Sequence, residues 1–366
     1  MVILEVLEPE NSPKISTWYA LVPRGEGPSS RVGHTCVYVP ASEDSPKGKV
    51  LILGGADPGG CFSDSYIIDL DKHEWDSPDW ENFLPRYEHA SFLSTSNPGS
   101  IWVFAGAEQS ENRNCIQVLN PGSVSWKSPK IQGVAPSPRT FHTSSSSVGD
   151  KLYVFGGGEK GTEPVLDTNL HVYDAATLTW SQPETSGDPP QARHGHVIVA
   201  VGSKLFVHGG MSGTTFFSDM YCINTDTMKW EHVEAKGDLP PACAAHSSAA
   251  WKSYIYIFGG MTNAGAIDSL YRFDTETLQW SKLKFESTCP APRLDHSMCL
   301  LPWKTQKDIN NSEKVTSKTN LKDDSSESVS GLNDSLEHGS VQLCLIFGGM
   351  DITGELYRDC CVTILQ

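Results

Sequence analysis

A pair of small residues closes a short apolar run six times along the chain. The pairs are Gly54-Gly55, Ala105-Gly106, Gly156-Gly157, Gly209-Gly210, Gly259-Gly260 and Gly348-Gly349, and successive pairs lie 51, 51, 53, 50 and 89 residues apart. A tryptophan follows five of the pairs after 20 or 23 residues, at Trp75, Trp126, Trp180, Trp230 and Trp280. A period of roughly fifty residues with several short strands in each unit is typical of a β-propeller. Residues present in every unit are therefore expected to serve the fold, and function is expected where the units differ.

Five of the six units open with an Arg-x-x-His motif. The motifs are Arg31/His34, Arg86/His89, Arg139/His142, Arg193/His196 and Arg293/His296, whereas the fifth unit has Cys243 followed by His246. A Ser/Ala-rich stretch after the histidine predicts a first strand. Runs such as KLYVFGG and YIYIFGG predict a second strand, because they are rich in β-branched and aromatic residues, end at glycine and are too short for a helix.

The second half of each unit predicts a hairpin. Segments such as LHVYD and LYRFD read as a third strand, and a tryptophan lies six residues after an Asp or Asn that suits a tight turn. The tryptophan then marks a fourth strand. Four antiparallel strands in each unit correspond to one propeller blade, so the sequence predicts an all-β, six-bladed β-propeller.

The two chain ends predict how the ring closes. The last unit has a third strand from Tyr357 to Leu365 but no tryptophan after it, while the N-terminal segment has a spare Trp18. We therefore expect the N-terminal strand to complete the last blade and to remove exposed edge strands. The expected blades span about residues 31–80, 86–130, 139–185, 193–235, 242–285 and 293–366, the last together with 15–22.

The repeat resembles the kelch family. The resemblance rests on the glycine pairs, the spaced aromatic residues and the phased tryptophans, and it covers nearly the whole chain. It implies a propeller in which the glycines permit tight backbone turns and each tryptophan packs between neighbouring blades. Both roles agree with the freedom of glycine and the large apolar surface of tryptophan.

Charge and hydropathy exclude several classes of function. The chain has 28 Lys and Arg residues against 44 Asp and Glu residues, a formal net charge of -16. This charge disfavours nucleic acid and anionic membrane surfaces as direct partners. The N-terminus lacks a basic signal-peptide region, and no apolar run is long enough for a membrane span. We therefore expect a cytoplasmic protein whose ten cysteines are reduced thiols.

The interval before the last glycine pair holds an insertion from Lys304 to Ser340. The insertion is rich in Ser, Asn, Asp and Lys and contains few large apolar residues, so we expect it to be disordered. It is interpreted as an inert loop or as a phosphorylatable tether, with Ser325, Ser326 and Ser328 beside acidic residues. A shorter insertion, Pro40 to Lys49, occupies the same place in the first unit.

The segments after the glycine pairs vary most between units. Loops on a rigid scaffold commonly carry function, so these segments form the expected partner-binding face. The candidate residues are Asp57, Glu108, Arg113, Glu159, Lys160, Thr214, Phe216 and Asn263.

Two residue patterns resemble metal sites. Six histidines recur at equivalent positions, but a metal site needs converging ligands, so they are interpreted as blade architecture. Glu163, Asp167 and His171 have the spacing of the iron-ligand motif of plant kelch specifier proteins. Asp167 and His171 are nevertheless aligned with residues of the other units, which favours a role in the fold. We therefore predict no catalytic residue, no cofactor and no metal ligand.

Three functions are compatible with such a propeller. The favoured one is a non-enzymatic protein-binding module. The alternatives are a kelch enzyme with a metal site at the propeller centre and a substrate-adaptor scaffold for a ubiquitin ligase. The adaptor usually needs an added assembly domain, and about thirty residues precede the first unit here.

A narrower resemblance covers the whole chain. Segments such as LPRYEHASF, NRNCIQVLNP, RLDHSMC and the late FGGM are similar to kelch-motif effectors of a late-endosomal Rab GTPase. The resemblance implies binding to the GTP form of a Rab protein and a role in receptor transport from endosomes to the trans-Golgi network. It also suggests a monomer that reaches late endosome membranes through its partner. The resemblance assigns no partner-contacting residue.

Overall fold

The computed structural model describes residues 2–42, 45–109, 111–140, 146–304 and 340–366. The described part of the chain contains no helix, and its strands are numbered β1 to β35 in chain order. Most of the predicted insertion, residues 305–339, lies outside the described residues. His142 lies outside them as well, because residues 141–145 are not described.

The strands form six small antiparallel sheets that follow one another along the chain. The first three sheets consist of β3 (Thr35–Val39), β4 (Lys49–Leu53), β7 (Ser65–Asp69) and β8 (Glu74–Asp76); β9 (Ala90–Leu93), β10 (Ile101–Phe104) and β13 (Ile116–Leu119); and β14 (Ser146–Val148), β15 (Lys151–Val154), β18 (His171–Asp174) and β19 (Thr179–Ser181). In the second sheet the fourth segment is reduced to one antiparallel bridge between Val118 and Lys127.

The other three sheets follow the same order. They consist of β20 (Val197–Val201), β21 (Lys204–His208), β24 (Met220–Asn224) and β25 (Lys229–His232); β27 (Ser247–Trp251), β28 (Tyr254–Phe258), β31 (Leu270–Asp274) and β32 (Gln279–Lys282), with β26 (Lys236–Gly237) at the edge; and β33 (Ser297–Trp303), β34 (Val341–Phe347), β35 (Cys360–Ile364) and β2 (Trp18–Leu21), with β1 (Glu5–Val6) at the edge. Each sheet is one blade.

The six first strands surround the centre of the molecule. Each of β3, β9, β14, β20, β27 and β33 contacts the first strand of the next blade, and β33 contacts β3 to complete the circle. The predicted six-bladed propeller is therefore confirmed.

The N-terminal strand closes the ring as the unpaired Trp18 predicts. Strand β2 pairs antiparallel with β35, and Trp18 lies opposite Thr363. Trp18 is fully buried, and its ring centroid lies 5.4 Å from that of Phe258 in the fifth blade. Trp230 and Phe155 make the equivalent contact between the fourth and third blades at 5.3 Å.

The glycine pairs permit close contact between blades. The amide of the second residue donates a hydrogen bond to the next blade, for example from Gly210 N to Cys243 O at 2.8 Å and from Gly349 N to Arg31 O at 3.0 Å. Gly209 has a φ of 66°, and a Cβ there would lie 2.7 Å from Cys243 O. A larger residue at Gly209 would be strained and would push the blades apart.

Candidate protein-binding face

The chain forms a small hairpin after most of the glycine pairs. The hairpin strands are β5 (Ala56–Asp57) and β6 (Gly60–Cys61), β11 (Ala107–Glu108) and β12 (Glu111–Asn112), β16 (Gly158–Lys160) and β17 (Glu163–Pro164), β22 (Met211–Ser212) and β23 (Thr215–Phe216), and β29 (Met261–Thr262) and β30 (Gly265–Ala266). The sixth blade has a bridge between Met350 and Leu356 instead. All six segments connect second to third strands, so they lie at the same end of the blades. We call this surface the hairpin face and define it as residues 56–64, 107–115, 158–167, 211–219, 261–268 and 350–359.

Buried arginines support the hairpin face from below. Arg193 is fully buried and donates to Gly209 O at 2.9 Å and to both carboxylate oxygens of Asp219 at 2.6 and 3.1 Å. Its guanidinium carbon lies 4.3 Å from the centre of the Phe217 ring, within cation–π range. Arg31 and Arg293 form the same contacts with Asp64 and Asp359. In these three blades the bonds hold the end of the segment between the second and third strands against the blade.

The charge of the arginine controls the ionisation of its partner. Burial opposes ionisation of Asp359, but the hydrogen bonds and positive charge of Arg293 outweigh it and hold the pKa of that carboxyl below its ordinary value. In the second blade, Arg86 instead donates to Gln117 Oε1 at 2.8 Å. The motif arginines therefore belong to the architecture of the blades.

The motif histidines connect neighbouring blades. His34 Nε2 lies 3.1 Å from Phe347 O in the preceding blade, and His196 Nε2 lies 3.0 Å from Phe155 O. His89 is bonded to Thr35 Oγ1 at 2.9 Å. Burial, reinforced by the nearby Arg31 charge, lowers the pKa of His34 to about 3, so the ring is neutral at physiological pH.

The iron-motif residues take up the contacts of the repeat. Asp167 Oδ2 lies 2.6 Å from His171 Nε2 and 3.5 Å from Arg139 Nη2, so Asp167 occupies the place that Asp219 has beside Arg193. Glu163 is exposed in β17. Asp167 and His171 are thus held by one another and by a motif arginine.

Three of the eight candidate residues are held in local contacts. Asp57 Oδ1 accepts hydrogen bonds from Gly59 N at 2.7 Å and Gly60 N at 3.2 Å, which fixes the turn of the first hairpin. Glu108 and Arg113 form an ion pair with each other, and both side chains are partly exposed. Their free hydrogen-bonding capacity is reduced by these contacts.

Three of the other candidates are exposed. Thr214 and Asn263 are exposed at hairpin turns, and Phe216 is half-buried in β23, opposite Met211. Glu159 is exposed and Lys160 ends β16. The structure therefore places all eight candidates on one face, across the first five blades, without gathering them into a single cluster.

Several apolar residues that the sequence did not single out are exposed on this side of the disc. Leu166 is 81% exposed and Ile352 is 64% exposed on the hairpin face. Val134 and Leu239 are 85% and 59% exposed in the links between blades, which run on the same side. Apolar surface that gathers on one side of a protein can mark an interaction site, so these four residues are further candidates for partner contact. Sequence alone did not reveal them because each also suits a buried loop position.

The hairpin face is acidic. Its six segments hold twelve acidic residues and three basic residues. Four of the carboxylates, those of Asp64, Asp167, Asp219 and Asp359, are ion-paired to buried motif arginines. The remaining carboxylates outnumber the basic side chains, so the face complements a partner with basic residues.

Two further features bear on cofactors and membranes. Among the described residues, one group of three metal-ligating side chains occurs, formed by His208, Cys243 and His246 between the fourth and fifth blades. No helix within the described ranges has the length and hydropathy needed to cross a bilayer.

Comparison with known proteins identifies the family. Residues 33–260 and 142–306 match the family described as the KLHDC2/KLHL20/DRC7 Kelch-repeats domain. A Xenopus laevis protein named Rab9 effector protein with kelch motifs is 74% identical over 366 residues, which is 100% of both chains. The chain belongs to the family of Rab9 effector proteins with kelch motifs. Members of this family from Homo sapiens and Danio rerio are 58% and 55% identical, over at least 99% of each chain.

Proposed function

We propose that this chain is a non-enzymatic propeller that binds Rab9 in its GTP form through the hairpin face. The observation that carries the proposal is its full-length identity to proteins named Rab9 effectors. In this proposal the protein is a cytoplasmic monomer that its membrane-bound partner recruits to late endosomes. There it acts in receptor transport to the trans-Golgi network.

The features of the hairpin face support a protein ligand. A rigid disc presents variable loops, and its hairpin segments carry exposed apolar residues together with an excess of carboxylates over basic side chains. This combination suits a partner surface that pairs apolar residues with basic ones. An effector that distinguishes the nucleotide states must contact the switch segments, because the γ-phosphate orders them.

The first test is binding to purified Rab9 loaded with GTP or GDP. We expect retention of this protein by GTP-loaded Rab9 and little retention by GDP-loaded Rab9. Equal retention in both nucleotide states would contradict an effector role, and so would absence of binding in either state.

The second test maps the face. Phe216→Ala and Arg113→Ala truncate an aromatic and an arginine among the eight candidate residues, which are the types that commonly anchor interfaces, and Leu166→Asp and Ile352→Asp place charge on exposed apolar positions. Loss of an anchor is expected to weaken binding by about 1–3 kcal/mol without unfolding the protein. Affinity is measured by calorimetry and folding by urea denaturation.

Glu276→Ala is the matched control, because Glu276 is exposed in the turn between β31 and β32 at the opposite face. It is expected to bind like the unmodified protein. Normal binding by all four hairpin-face variants, with loss in Glu276→Ala, would assign the interface to the opposite face.

A further inference from the structure

The junction between the fourth and fifth blades departs from the repeat at two positions. The residue before each glycine pair is Leu or Phe in five blades and His208 in the fourth. The first motif residue is arginine in five blades and Cys243 in the fifth. Because the end of β21 packs against the start of the fifth blade, these two exceptional residues meet beside His246.

The three side chains converge closely. One ligand atom from each of His208, Cys243 and His246 lies within 4.8 Å of the others, and all three residues are buried. His208 Nδ1 is 3.2 Å from His246 Nε2. Metal–ligand bonds of about 2.0–2.3 Å place ligand atoms roughly 3.3–3.8 Å apart around one ion, so small side-chain rotations suffice to bind one.

The junction also lacks the positive charge found in the other blades. Each motif arginine lies beneath the hairpin of its blade, and Asp219, for example, pairs with Arg193. Ser269 occupies the equivalent position in the fifth blade, because its carbonyl oxygen accepts from Gly259 N as Asp219 O accepts from Gly209 N. The fifth blade therefore has neither the guanidinium nor its carboxylate partner at this junction.

The ionisation of the two histidines suits a metal ion, whereas that of the cysteine opposes one. Burial lowers the pKa of His208 to about 4 and that of His246 well below its ordinary value, so both rings are neutral and available as ligands. Burial raises the pKa of the Cys243 thiol to about 12. A metal ion that binds there therefore displaces the thiol proton.

We infer that His208, Cys243 and His246 form a structural site for one d10 transition-metal ion, Zn²⁺ or Cu⁺, which ties the fourth blade to the fifth. Two imidazoles and one thiolate are ligands that these ions share. The sequence predicts no metal ligand, because the histidines that recur in the Arg-x-x-His motif suit the architecture of the blades. His208 lies outside that motif and is not among the candidates. The site is independent of partner binding at the hairpin face.

The test is the metal content of the untagged protein, purified without chelator under reducing conditions. We expect about one equivalent of metal per chain, with elemental analysis distinguishing zinc from copper. Cys243→Ser removes the thiolate, and His208→Phe installs the aromatic residue that the repeat has at this position. Both variants are expected to retain less than about a tenth of the metal.

Two control variants remove the same residue types elsewhere. Cys61 is half-buried on the hairpin face and His232 is exposed in β25, so Cys61→Ser and His232→Gln are expected to retain the metal. His208→Phe keeps the test decisive if Cys243→Ser fails to fold, since phenylalanine occupies this position in four other blades.

Titration with Zn²⁺ and with Cu⁺ completes the experiment. If the unmodified protein contains no metal and binds neither ion, the cluster is a buried hydrogen-bonded histidine pair and the inference is wrong. Equal metal content in the unmodified protein and in His208→Phe would overturn it as well.

Discussion

At the scale of single residues, the buried arginines explain why the hairpin face is rigid. Each guanidinium satisfies a backbone carbonyl and, in four blades, a carboxylate of the hairpin segment. A charge of this kind is tolerated in the interior because its hydrogen bonds and ion pair replace water. The same contacts leave the outer side chains of the hairpins free to vary.

Removing one such guanidinium is expected to destabilise the fold. Arg193→Ala leaves Asp219 and Gly209 O without their partner, and we expect a loss of about 3 kcal/mol in the free energy of unfolding. The loss is measured as a lower urea midpoint at constant m value. Lys229→Ala breaks an exposed ion pair with Glu231 and is expected to leave the midpoint unchanged. Equal midpoints for the two variants would contradict this account of the buried arginines.

At the scale of secondary-structure elements, strand β2 determines whether the propeller closes. Its backbone pairs with β35, and Thr363 Oγ1 donates to Thr17 O at 2.8 Å. Tyr19 and Leu21 are buried in the cluster that joins the last blade to the first. The strand thus supplies both hydrogen bonds and apolar surface from the far end of the chain.

Loss of the N-terminal strand is expected to open the ring. Deletion of residues 1–22 exposes β35 as an unpaired edge, so we expect aggregation during size-exclusion chromatography. Trp18→Ala keeps the strand but removes a fully buried ring, with an expected loss of about 3–5 kcal/mol. Deletion of residues 1–3 is the control and is expected to change neither property. A monomeric deletion of residues 1–22 with unchanged melting would refute closure by this strand.

At the scale of the whole molecule, buried histidines make the fold sensitive to acid. His34, His89 and His296 are buried outside the proposed metal site, and burial lowers the pKa of each below the ordinary 6.5. The folded state therefore binds fewer protons than the unfolded state below pH 6.5. The stability associated with these groups is present above pH 6.5 and is lost as the pH falls toward their folded pKa values.

Acidification is therefore expected to lower the free energy of unfolding steeply. Each of these histidines costs about 1 kcal/mol of stability between pH 6.5 and 5.5, and the three cost about 3 kcal/mol. Urea midpoints at pH 7.5, 6.5 and 5.5 measure the slope. A midpoint that stays constant across this range would show that the rings are protonated in the folded state.

The sequence by itself determined the strands, the number of blades and the closing strand. These features follow from local patterns and from a constant period, and both are visible along the chain. Tertiary structure decided which side chains meet across blades. The exposure of Leu166 and Ile352 depends on the packing of segments distant in sequence, and the meeting of His208 with Cys243 depends on the register between two blades. Periodicity specifies the positions that repeat, whereas the properties of the exceptional positions depend on neighbours that only the closed ring brings together.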